Sequence, residues 1–167
     1  EVRTLALGTL APDSARELLV ALLRAGGVAA ASVDVGALIA EAGGHPLFIE
    51  ELSRHLLTHG QPASGRQRLE DALWARAQEL PPSTRQLLEL VAVAGAPLPQ
   101  ELIAQAAGAE PVEVSRDVAT LRVGHWVLTA GARPGDTIEP FHDRIRETVT
   151  LYLDPATRAQ HHHRLAL

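Results

Sequence analysis

The chain has no lysine: all fifteen of its Lys/Arg positions are arginine. That excludes a complete phosphate loop from these 167 residues, because such a loop uses a lysine to reach the β- and γ-phosphates of a nucleotide. Cysteine is missing too, which removes disulfide frameworks, thiolate nucleophiles and zinc-thiolate sites. Aromatic residues make up only 3% of the chain, so any core must be assembled mainly from Leu, Ala and Val. Leu and Ala carry little helix penalty, and the composition therefore favours helices. No apolar run approaches the roughly 18 residues that a membrane-spanning helix needs. Positive charge is also scarce, with a formal net charge of −5 and a pI near 5.9, a balance that argues against a general polyanion binder.

What is present is enough apolar content, 46%, for packed cores in one domain or two small ones. The start, Glu1-Val2-Arg3, has neither an initiator methionine nor a signal-peptide pattern. The expectation is a cytoplasmic-type stretch of a longer protein.

Arg3 to Leu7 alternates weakly before Gly8 and reads as one strand, whose sheet partners are expected before Glu1. Pro12 opens a first helix carrying Leu18, Leu19, Leu22 and Leu23, stopped by Gly26-Gly27. Asp34 caps a second through Ala42, ended by Gly43-Gly44. Pro46 opens a third, with Ile49, Leu52 and Leu56 as its buried side and Gly60 as its stop. Gln61 to Arg66 reads as a loop. A fourth helix runs from Leu69 through Leu80 to the break at Pro81-Pro82. These helices form a bundle over roughly 11–80.

The second half has another rhythm. Ser83 is expected to cap a helix reaching Ala94, Gly95 to Pro99 reads as a break, and Gln100 to Ala107 and Pro111 to Leu121 read as helices. Trp126 to Thr129 and Thr137 to Phe141 then read as two strands around a Gly/Pro-rich turn. Three helices followed by a two-stranded wing is the order of a winged helix-turn-helix, placed at 81–154. A helix follows from Asp143 to Tyr152, and a further helical region starts at Pro155 and runs to 167. The fold class is mainly α: a helical bundle, then a winged helix.

Two motifs carry candidate chemistry. In Gly43-Gly44-His45-Pro46 the ordinary role is a helix stop and a helix start; the functional one is that Gly44 admits a close ligand while the rigid Pro46 ring packs on a flat base. In Phe141-His142-Asp143-Arg144-Ile145-Arg146-Glu147, His142 precedes a helix whose N-terminus attracts anions. Imidazole can donate to a phosphate oxygen there, more strongly if protonated. Asp143 suits the cap, and Arg144, Arg146 and Glu147 form a charged surface. Glu51, His55 and His59 share a helix face at a spacing that can bind zinc, but no third strong ligand accompanies the histidines and no metal is expected. His161-His162-His163 point to different sides of a helix and are poor chelators.

Three stretches, Gly44-His45-Pro46-Leu47-Phe48-Ile49-Glu50-Glu51-Leu52, Leu88-Glu89-Leu90-Val91-Ala92-Val93-Ala94-Gly95 and Phe141-His142-Asp143-Arg144-Ile145-Arg146-Glu147, resemble the C-terminal part of the nucleotide-binding module of STAND-type signalling ATPases. That AAA-related class is found in MalT-like regulators, adenylate cyclase-associated ATPases and bacterial multidomain Ser/Thr kinases. The likeness covers essentially the whole chain. It implies that residues 1–10 hold the last strand of an absent nucleotide-binding core, 11–80 a helical lid and 81–154 a winged helix. Gly44 and Pro46 would lie against the adenine, and His142 would reach the β-phosphate of ADP. Where related sequences carry Met-His-Asp, this one has Phe141 at the apolar position.

The resemblance also implies ATP or ADP with magnesium in the longer protein, no tight nucleotide binding by this chain alone, and no catalytic residue here. Its partners would be a preceding core in cis, a downstream sensor or repeat domain and, through self-association, a second copy. Nucleic acid is not expected: the candidate recognition helix carries Glu113, Arg116 and Asp117 with Glu110 before it, and the wing offers only Arg133, whereas groove reading needs several cationic or amide side chains. A DNA-binding regulator and a purely structural adaptor are the competing readings.

Overall fold

A computed structural model describes residues 8–60 and 67–166. The expected strand at Arg3 to Leu7 and the loop at Gln61 to Arg66 fall outside the described residues. Those residues are mainly helical, with nine α-helices and one small antiparallel sheet, and no helix among them is long and apolar enough to cross a membrane. The chain divides into two compact units, Glu1–Ala75 and Arg76–Leu167.

In the first unit α1 (Pro12–Ala25), α2 (Val35–Ala42) and α3 (Pro46–His59) pack pairwise on one another. Proline opens α1 and α3, its fixed φ suiting the first turn. Asp34 caps α2 by accepting from Ala37 N at 2.9 Å. Leu19, Leu23, Leu38, Phe48, Ile49 and Leu52 form the core. The start of α4 (Leu69–Gln78) is tied to it twice: Leu69 N donates to Glu41 Oε1 at 3.1 Å, and Gln67 Nε2 donates to the Leu52 carbonyl at 2.9 Å. α4 ends at Gln78 rather than Leu80. Pro81 disfavours helical backbone at the residue before it, and the chain leaves through turns from Glu79 N to Arg76 O and Leu80 N to Ala77 O.

The second unit is built around α5 (Pro82–Ala94), whose Leu87, Leu88, Leu90, Val91, Ala92 and Val93 are all buried. A helix apolar on most sides must be surrounded, and α5 is covered by α6 (Gln100–Ala107), α7 (Pro111–Val123), α8 (Asp143–Tyr152) and α9 (Pro155–Leu165). Ser83 does not cap α5: the helix begins at Pro82, Pro81 is the flanking residue and no side chain caps it, because a pre-set proline φ starts the helix one residue earlier.

The sheet has three strands, not two, in the order β1-β3-β2. β1 (Leu98–Pro99) lies in the segment read as a break and pairs with β3 (Thr137–Pro140), Leu98 opposite Ile138 and Pro99 opposite Thr137. Two residues are too few for alternation to show, and an edge strand tolerates proline because no ladder donor is lost. β2 (Val127–Thr129) pairs with the other side of β3. The turn joining β2 and β3 is held to α6: Gln100 N donates to Asp136 O, Glu101 N to Pro134 O at 2.9 Å, and Gln100 Nε2 to Gly131 O at 3.1 Å. The hairpin backbone thus satisfies donors of the first α6 turn that a capping side chain would otherwise serve.

Candidate functional site

Gly44 is buried, with φ +73°, and a Cβ built on it would lie 2.8 Å from the carbonyl oxygen of Leu10. Its own carbonyl accepts from Leu10 N at 2.8 Å. The close approach that glycine permits here is made by the chain's own Leu10 backbone, with Thr9 Cβ beside it. Gly43, φ +59°, forms the left-handed end of α2 with open space around it. Pro46 is exposed as the first residue of α3, and the ring of His45 beside it lies 4.9 Å from that of Phe48.

His142 is placed by both the sheet and the helix. Phe141 N donates to Trp126 O at 2.9 Å, which fixes the chain just before it. Trp126 is buried, with the Arg76 guanidinium 3.8 Å from its ring centroid, a cation–π contact. His142 itself is the extended N-cap of α8, and its Nδ1 accepts from Arg144 N at 3.1 Å. Asp143, suited to that role by residue type, is instead the first helical residue, 82% exposed, with Oδ1 3.7 Å from Arg146 Nε. The imidazole takes the cap because Nδ1 reaches the same backbone donor that a capping carboxylate would use.

This bond has a chemical consequence. An Nδ1 that accepts a backbone N–H carries no proton, so the neutral ring holds its hydrogen on Nε2 and donates from there.

No group of three His, Cys, Asp or Glu able to hold a metal occurs among the described residues. Glu51 is buried and paired with Arg54 at 2.9 Å, while the His55 and His59 rings stack 4.4 Å apart. On α7, Asp117 is drawn toward α5 by Thr84, whose buried hydroxyl donates to Asp117 Oδ1 at 2.6 Å. Glu110, Glu113, Arg116 and Arg122 remain exposed, a mixed face without net positive charge. Of the three consecutive histidines, His161 is buried with Nε2 2.9 Å from Glu89 Oε2, and His162 and His163 are exposed.

The chain matches no protein-family model, no curated protein and no solved structure. Sequence reasoning does not single out Arg158, which lines a pocket with Arg146 and His162; the signal that could have found it is the four-residue spacing of Arg158 and His162, which puts both on one helix face.

Proposed function

We propose that this chain is the regulatory lid and winged-helix segment of a STAND-type signalling switch. It would contact ATP or ADP, with magnesium, held by a nucleotide-binding core elsewhere in a longer cytoplasmic protein. The observation that carries the reading is the N-cap bond of His142, which places the proton of the neutral ring on Nε2 at a helix start. An N–H donor at such a position suits a phosphate oxygen. The order α5, α6, α7 and then the β2–β3 hairpin supports the winged-helix reading, with β1 as the strand that pairs with the hairpin.

The mechanism is differential contact. Pro46 packs on the adenine and His142 donates to the β-phosphate only when the winged helix is docked on the core, so ADP favours the closed form by the worth of those contacts. One charge-assisted hydrogen bond, about 1.5–3 kcal/mol, shifts a two-state equilibrium roughly ten- to a hundredfold. The chain supplies no catalytic group on this reading, since the lysine of the phosphate loop must come from the core.

The adenine half is tested by photo-crosslinking an azido-adenine nucleotide to the full-length protein. Labelling of the peptide containing His45 to Phe48 is expected. Labelling confined to other segments overturns the placement of Pro46 and favours a structural adaptor.

A further inference from the structure

The flank of the second unit where α5, α8 and α9 meet holds a pocket of about 490 Å³ lined by Val93, Arg146, Thr150, Pro155, Arg158, Ala159 and His162. We propose that it is a binding site for a phosphate monoester. Two helix faces frame it: Arg146 and Thr150 lie four apart on α8, and Arg158 and His162 lie four apart on α9. Such spacing puts each pair on one side of its helix, and Val93 of α5, 7% exposed, contributes the apolar wall.

Three nitrogen-bearing side chains and a hydroxyl thus converge in a chain of net charge −5, and no carboxylate is among the lining residues. Asp143, outside the lining, has Oδ1 3.7 Å from Arg146 Nε. The Arg158 and His162 side chains have no hydrogen-bond or ion-pair partner among the described residues. Thr150 Oγ1 donates to the Arg146 carbonyl at 2.8 Å and the Glu147 carbonyl at 3.1 Å, so its proton is committed to α8 and the donors for an anion are Arg146, Arg158 and His162.

A guanidinium fork donates two parallel N–H bonds to carboxylate or phosphate alike, but two arginines together favour the tetrahedral dianion, which offers oxygens and charge to both. The volume exceeds that of one phosphate group, so the ligand has room for the carbon skeleton attached to it, against Val93 and Ala159. The phosphate monoester could belong to a free metabolite or to a phosphorylated serine. This site is separate from the nucleotide reading and does not depend on it.

Isothermal titration and arginine side-chain NMR on the 167-residue chain at low ionic strength test it with three probes: inorganic phosphate, a sugar phosphate and a phosphoserine peptide. Saturable binding is expected below about 10 mM, the range that a few charge-assisted hydrogen bonds support, with acetate far weaker. The sugar phosphate binding tighter than the phosphopeptide identifies the free metabolite as the source, and the reverse order the phosphorylated chain. Arg158→Gln and Arg146→Gln should each weaken phosphate by about tenfold or more, with no change for Arg122→Gln on the exposed face of α7. No saturation with any probe, or equal losses in Arg122→Gln and Arg158→Gln, overturns the proposal.

Discussion

A helix cap made by an imidazole ties the local fold to the candidate chemistry at a single residue. Because His142 Nδ1 holds Arg144 N, His142→Asn should keep the cap and α8 while removing the Nε2 donor, whereas His142→Ala removes both. Their stabilities should differ by about 1 kcal/mol in urea unfolding. Asp154 caps α9 in the ordinary way, accepting from Ala156 N and Thr157 N at 3.0 Å each. The Thr157 hydroxyl above all, and with it these backbone donors, hold its carboxyl below the usual carboxylate value. A depressed folded-state pKa gives stability that is present above the unfolded value and lost as pH falls through the folded one. The advantage of the native chain over Asp154→Asn should therefore be constant well above the unfolded carboxyl value and decline progressively as pH falls through the lowered folded one, as read by urea midpoints across pH 2–6. Gly43 and Gly44 offer a matched pair. Both have positive φ, but only Gly44 meets backbone, the Leu10 carbonyl. Gly43→Ala should cost about 1–2 kcal/mol, and Gly44→Ala measurably more in the same unfolding assay. From sequence the two glycines are indistinguishable, because the neighbour that separates them is more than thirty residues away in the chain. The cap at His142 is equally hidden, since Asp143 next to it is the better capping residue by type.

Elements were legible where punctuation was strong. Pro12, Pro46, Pro111 and Pro155 each open a helix, and Gly60, Gly95 and Gly108 each close one. β1 was not legible, because a two-residue strand ending in proline has no period to read and exists through its pairing with Ile138 and Thr137. Nor was the attachment of the hairpin turn to α6, which consists of backbone donors and one Gln100 amide. α5 and α7 are joined by a contact that composition hides as well: Thr84, 1% exposed, donates to Asp117. Thr84→Val keeps the shape and removes the donor to a carboxylate, and should cost about 1.5–3 kcal/mol, measured by chemical unfolding. Leu90→Ala, at a fully buried position of the central helix, should cost about 2–5 kcal/mol.

At the scale of the whole molecule, the missing lysine and the missing cysteine set what the chain can do more firmly than any single motif. They leave arginine and histidine to meet anions, and the structure distributes these between a capped histidine after the sheet and a pocket on the flank of α8 and α9. The exposed charges of α7, Glu110, Glu113, Arg116 and Arg122, give no cationic groove-reading face, and a gel-shift titration with duplex DNA at low salt should show no complex. The central claim is that His142 senses a nucleotide bound elsewhere. Its most direct measurement is the ADP affinity of the full-length protein with His142→Ala, beside His142→Asn as the variant that keeps the cap. Loss of the Nε2 donor should weaken ADP about ten- to a hundredfold in both. Unchanged ADP affinity in both would contradict the account.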